Sequence, residues 1–166
     1  GAFAPLYKIC EDVPRKLDTE KLGRPLNNLI PKFIKFFAHP SAEIRKYALG
    51  SINQFLFIMP QILAVNMDKY IGALFKLTSD TNKEIRKRVC QAFVLLLEIR
   101  IEYLQGEMEN VIKYMLAATR TDDEVLALDA CEFWAAYCDN KVCEFVDLLS
   151  LSLSLSLPLS LSLFLF

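Results

Sequence analysis

Three stretches of this chain repeat one another at a nearly constant interval. They are Ala42-Glu43-Ile44-Arg45-Lys46, Lys83-Glu84-Ile85-Arg86-Lys87 and Asp123-Glu124-Val125-Leu126-Ala127, whose glutamates lie 41 and 40 residues apart. The register extends both ways. Downstream, Ile52, Phe93 and Phe133 share one column, and Phe55, Leu96 and Ala136 another. Upstream the columns are Ile30/Ile71/Val111, Phe33/Leu74/Tyr114 and Ile34/Phe75/Met115. Within each unit the apolar positions are three and four apart, which is the spacing of one helix face. A helical unit this short cannot bury its own apolar face alone, so successive units must stack on each other.

Each unit reads as two antiparallel helices. Helix A is expected over 25–37, 65–78 and 107–119, and helix B over 43–58, 83–104 and 123–138. The turns between them are His39-Pro40-Ser41, the run Thr78 to Asn82, and Thr121-Asp122-Asp123. Ser41 stands where an N-cap can accept a free backbone N–H. Met59-Pro60 and Gly106 are expected to close the first two B helices. Residues 2–11 read as the last helix of an earlier unit. A period of 40–41 with two helices per unit predicts an all-α fold, a HEAT-repeat α-solenoid. It is a right-handed superhelical stack with A helices in the outer layer and B helices in the inner one. Asp80 and Arg86 stand six apart across a turn, where HEAT repeats carry an aspartate–arginine ladder between units. The matching pairs are His39/Arg45 and Arg120/Leu126. Only the middle unit has both members, so no continuous ladder is expected.

Composition narrows the function. Of 166 residues, 19 are Lys or Arg and 20 are Asp or Glu. That balance argues against a dedicated nucleic-acid binder, which would carry a basic excess. The 54% apolar content excludes a disordered chain. His39 is the single histidine, which removes most catalytic triads and every multi-histidine metal site. No phosphate-cradling glycine loop or paired catalytic carboxylates occur, so the chain reads as a non-enzyme with no cofactor and no metal. The cysteines are Cys10, Cys90, Cys131, Cys138 and Cys143, an odd set without CxxC, which reads as free thiols in a reducing compartment. The chain opens at Gly1 on an apolar run and reads as truncated at its front.

The composition breaks after residue 148. From Leu149 to Leu165 every odd position is leucine, alternating mostly with serine, and no charge occurs after Asp147. This divides the chain into a HEAT-repeat segment, 1–148, and a low-complexity Leu/Ser tail, 149–166. A transmembrane helix needs about 20 mostly apolar residues, and the tail is shorter, serine-rich and interrupted by Pro158. A strand fits its period of two but would be unpaired and uncharged. The favoured reading is a coding artefact, because a CT dinucleotide repeat read in triplets yields Leu-Ser without end. Residues 1–166 are expected to self-associate through apolar ends that lose their neighbouring units, at Phe3, Leu6 and Ile9 and at Val142, Phe145 and Val146. Deleting 149–166 should reduce this without abolishing it.

Several multi-residue phrases occur in order: Lys8-Ile9-Cys10-Glu11-Asp12, Arg24-Pro25-Leu26-Asn27 with Ile30-Pro31-Lys32-Phe33, Asn53-Gln54-Phe55, Tyr114-Met115-Leu116, and Ala130-Cys131-Glu132-Phe133-Trp134. By these the chain resembles the transportin family of importin-β-type nuclear import receptors, the karyopherin-β proteins, in the amino-terminal half of their solenoid. The resemblance implies a carrier that binds cargo nuclear-localisation signals, the GTP form of the Ran GTPase and phenylalanine-glycine nucleoporins. It implies shuttling between cytoplasm and nucleus, with no nucleic-acid or membrane partner. The alternative is a HEAT scaffold subunit of a multiprotein complex, in which the same repeats only hold partners apart.

Individual residues carry both a functional and a plain reading. His39 reads as a turn histidine, and Phe33, Phe36 and Phe37 as core at helical spacing. Cys138 and Cys143 read as plain thiols. The densest basic cluster is Lys83, Arg86, Lys87 and Arg88; its plain reading is a solvated helix face, and its functional one a surface for an acidic protein. Arg86, near Asp80, reads as structural. Lys46, Lys83, Lys87, Arg88 and Trp134 are therefore the candidate protein-binding residues, Trp134 with packing as the competing role.

Overall fold

The computed structural model describes residues 2–121 and 123–139. Eight α-helices follow in order: α1 (Phe3–Asp12), α2 (Leu26–Phe36), α3 (Ala42–Leu56), α4 (Gln61–Val65), α5 (Met67–Leu77), α6 (Lys83–Arg100), α7 (Met108–Thr119) and α8 (Glu124–Asp139). Short 3-10 turns at Pro14–Asp18 and Glu20–Leu22 join α1 to α2, and others at Ile101–Tyr103 and Gln105–Glu107 join α6 to α7. No strand occurs among the described residues. The expected A helices are α2, α5 and α7, and the expected B helices are α3, α6 and α8. The Leu/Ser tail, Val142, Cys143, Phe145, Val146 and the 148/149 boundary lie outside the described residues.

Packing follows from the columns. Helices α1, α3, α6 and α8 stack side by side in one layer, and α2, α5 and α7 each lean on the B helix of their own unit. An A helix therefore buries one stripe: Leu26, Ile30 and Phe33 in α2, or Tyr70, Ile71, Leu74 and Leu77 in α5. A B helix has neighbours on three sides and buries far more of its circumference. In α3 the whole run Ala48 to Asn53 is buried. The core is one continuous cluster from Cys10 to Tyr137. Phe33 and Phe37 are buried in it and Phe36 packs on its edge, as their spacing predicts.

Local chemistry sets the ends. Asn82 caps α6, its side-chain oxygen accepting from the N–H of Glu84 at 3.0 Å and of Ile85 at 3.4 Å. Ser41 occupies the N-cap of α3, but its side chain makes no capping hydrogen bond. Its N–H instead donates to His39 Nδ1 at 3.0 Å, so His39 is a turn residue with one ring nitrogen engaged. At the other end of α3, Met59 takes a left-handed φ of 42° and donates its N–H to Phe55 O, and Pro60 follows. Helix α6 stops at Arg100, short of the expected 104, and Gly106 does not close it. The chain leaves the helix into two 3-10 turns pinned by fully buried Leu104. Helix α4 was not expected from the repeat, because it belongs to the connector between units.

Candidate protein-binding surface

The strongest link between units is ionic. Arg45 of α3 donates from Nε to Asp80 Oδ2 at 2.7 Å and from Nη2 to Asp80 Oδ1 at 2.9 Å. Its Nη1 donates to the carbonyls of His39 and Pro40, tying it to its own turn. Asp80 Oδ1 also accepts the Asn82 N–H at 2.9 Å. Burial pushes the Asp80 carboxyl up, but hydrogen bonds from Arg45 and Asn82 outweigh it and hold the group below its ordinary value. Arg86 repeats Arg45's local role, donating to the Asp80 and Thr81 carbonyls, and is structural as expected. Its next-unit partner would stand at 120, where the chain has Arg120. The ladder therefore has one rung among the described residues, made between units by Arg45 and Asp80. The within-unit Asp80/Arg86 spacing signals its place rather than its pairing.

A second tie is neutral. Buried Asn53 donates from Nδ2 to the Arg88 carbonyl at 3.0 Å and accepts from Tyr70 Oη at 3.1 Å. One side chain thus joins α3, α5 and α6. Tyr70 is fully buried, and burial pushes its phenol upward, so it stays a neutral donor.

The candidate cations sit on the B layer at different depths. Lys83 opens α6 with a side chain 75% exposed, its Nζ 3.7 Å from Asp123 Oδ2 of the next unit. Lys87, one turn on, is half-buried. Its charge opposes the burial that raises the Asp129 carboxyl above its ordinary value. Lys46 holds the same column one unit earlier; its Nζ pairs with Glu43 at 2.7 Å and lies 5.1 Å from the Tyr47 ring centre.

Arg88 is the exception. Its guanidinium lies 5.3 Å over the Tyr7 ring and its Nη1 is 3.4 Å from Tyr7 Oη, while its buried Nε has no hydrogen-bond partner. Tyr7 in turn packs against Tyr47, the rings tilted at 44° with centres 5.6 Å apart. Gly50 makes room for this: a Cβ there would fall 2.2 Å from Arg88 Nη1 and 2.8 Å from Tyr7 Cε2. Arg88 is a half-buried cation wedged between α1, α3 and α6 rather than a fully solvated one.

Trp134 is 8% exposed and its Nε1 donates to Thr119 Oγ1 at 3.0 Å. Edge-on rings of Phe133 and Tyr137 complete its setting. It fastens α8 to α7, so packing is the role the structure gives it. Lys46, Lys83 and Lys87 share the B layer, with Arg88 beneath them, and Trp134 stands apart. The Arg45–Asp80 rung and the Asn53–Tyr70 tie were not visible as pairs in the sequence. The matching columns of the repeat were the available signal. Among the described residues no group of three or more His, Cys, Asp or Glu could hold a metal ion, and no helix is long and apolar enough to cross a membrane.

No family model matches the chain. Transportin-1 of Mus musculus is 46% identical over 146 residues, covering 88% of this chain and 16% of that protein. This chain is a transportin homologue. Importin subunit beta-2 of Schizosaccharomyces pombe is 41% identical over 137 residues, 82% of this chain and 15% of its own length. The chain thus spans about 16% of the length of the transportin-1 it matches. Among solved structures, a designed armadillo repeat protein in complex with the peptide (KR)4 superposes with a TM-score of 0.65 at 19% identity, over 82% of this chain and 56% of that one. This likeness shows the fold: a helical solenoid of the armadillo and HEAT kind.

Proposed function

We propose that this chain is a segment of a nuclear import receptor and acts by binding, without chemistry. The observation that supports this is the 46% identity to Transportin-1 along an unbroken stack of repeats. The receptor to which such a segment contributes binds cargo nuclear-localisation signals, the GTP form of Ran and nucleoporins, and shuttles between cytoplasm and nucleus. In that reading Lys46, Lys83 and Lys87 offer a cationic strip to an acidic protein surface, either the GTPase or an acidic loop of the solenoid. Arg88 contributes its charge from beneath. Lys46 and Lys87 recur in one column, so the strip runs from unit to unit as an extended partner requires. The strip serves electrostatic recognition and on-rate more than raw affinity.

The experiment is a chimera of mouse Transportin-1 in which this chain's residues replace the matching stretch. With Ran and GTP it should carry a transportin cargo into nuclei of permeabilised cells. Replacing Lys46, Lys83 and Lys87 by Glu should slow that import. A chimera that folds but ignores the nucleotide state of Ran and imports nothing would favour the scaffold reading.

A further inference from the structure

The edge of the stack formed by the connectors between units has no role in the transport reading. One wall is the link from α1 to α2, residues 14–24, with Arg15, Lys16, Lys21 and Arg24 against Asp18 and Glu20. The other is 57–66, the end of α3 through α4, which carries no charge at all. Two open clefts of about 460 and 390 Å³ lie between these walls, and both include Asp18. The first runs between Arg24 and the apolar side chains of Ile62 and Val65. The second runs between Arg15 and those of Phe57 and Ile58.

Three observations converge on this groove. Six large apolar side chains are exposed among the described residues, and three of them, Leu22, Phe57 and Val65, belong to its walls. Phe57 is 64% and Val65 75% exposed, although each stands beside a well-packed helix. Among the described residues the two non-glycine positions with left-handed φ, Arg24 at 47° and Met59 at 42°, also fall here, one in each wall. Strained backbone of that kind persists where surrounding structure holds it, and it clusters at ligand clamps. The third is charge. Arg15 makes no ion pair among the described residues, and Arg24 pairs only with Glu20, whose side chain is 84% exposed.

We infer that this groove docks a short acidic segment of a partner protein, with aliphatic or aromatic side chains seated on Phe57, Ile62 and Val65 and flanking carboxylates paired to Arg15 and Arg24. The apolar wall supplies burial and the cationic wall supplies orientation, the division of labour of a small interface with an apolar centre and a polar rim. The inference stands apart from the transport reading and uses none of the B-layer cations.

The test is fluorescence anisotropy on the full chain with a labelled Asp-Glu-Leu-Phe-Glu-Asp peptide and its charge-reversed counterpart Lys-Arg-Leu-Phe-Arg-Lys. The acidic peptide should bind at least about tenfold more tightly, and its affinity should fall with added salt. The double variant Arg15→Glu/Arg24→Glu should remove that preference. Phe57→Ala should weaken binding of the acidic peptide severalfold. Lys113→Glu, on α7, should change nothing. Circular dichroism checks that the variants keep their helices, as the exposure of Arg15, Arg24 and Phe57 predicts. Equal binding of the two peptides, no binding of either, or indifference to the arginine variant would overturn the inference. So would a dimer that Phe57→Ala dissolves, since the occupant would then be a second copy of the chain.

Discussion

Replacing Asp80 by alanine should cost far more than removing any other ion pair of the described residues. The carboxylate side chain is 6% exposed and that of Arg45 14%, and the two meet through paired hydrogen bonds of 2.7 and 2.9 Å. Breaking a buried pair by deleting one partner costs about 3–5 kcal/mol, since the remaining charge is left uncompensated. Arg45 keeps the carbonyls of His39 and Pro40, which points to the lower end, about 3 kcal/mol. Asp80→Asn retains an acceptor for the Asn82 N–H and should cost less. Coupling to Arg45→Met in a double-mutant cycle should be about 2 kcal/mol. The pH dependence has a definite sign. A carboxyl held below its ordinary value in the folded state stabilises above that value, and the contribution is lost as pH falls through the folded-state pKa. The gap between wild type and Asp80→Asn should therefore narrow below about pH 4. Urea unfolding at a series of pH values reads all of this. A loss under about 1 kcal/mol, the range of exposed pairs, or a coupling near zero, would refute the claim that this rung ties the units.

Three further outcomes are expected. Asn53→Ala removes the partner of both the buried Tyr70 hydroxyl and the Arg88 carbonyl and should cost about 1–3 kcal/mol in urea unfolding, with Tyr70→Phe costing less because it leaves only Asn53 Oδ1 unpaired. Gly50→Ala should drive the Arg88 guanidinium off Tyr7, so that Arg88 becomes modifiable by phenylglyoxal, with a stability loss of about 1–3 kcal/mol; an unreactive Arg88 in that variant would contradict the wedge. Thiol labelling at pH 8, mapped by mass spectrometry, should modify exposed Cys131 and spare Cys10 and Cys90 until urea is added. Burial first, and then the nearby charges of Asp129 and Glu132, push Cys90 up to about 12.

The repeat register carried most of the fold. Once Glu43, Glu84 and Glu124 are aligned, the columns on either side place six helices to within a few residues, because alternate three and four spacing leaves one face to bury. The connectors were illegible for the complementary reason. Residues 13–24 and 57–66 repeat nothing elsewhere in the chain, so no column announces the 3-10 turns or α4. The end of α6 was misplaced because Gly106 looked like a terminator, whereas the helix stops where Leu104 is drawn into the core. For the candidate surface, spacing gave each residue's column but not its depth. Lys87 and Arg88 are adjacent in one basic run and both half-buried, yet Arg88 turns in between helices because α3 presents Gly50 and α1 presents Tyr7. Trp134 shares a column with Asn53 and Val94, both also buried, and its depth follows from the same inward-facing position. The sequence marks Asp80 as a place in a ladder between units but does not name Arg45 as its partner, since spacing within a unit is easier to see than contact between units.

The most direct measurement of the central claim is the affinity of Ran for the Transportin-1 chimera carrying these repeats, taken with GTP and with GDP bound. If the chain is a working stretch of an import receptor, the chimera should bind the GTP form in strong preference, within a few-fold of unaltered Transportin-1. Variants of Lys46 and Lys87 should weaken that binding, chiefly in its on-rate. Equal affinity for the two nucleotide forms would contradict the account and leave these repeats as a scaffold.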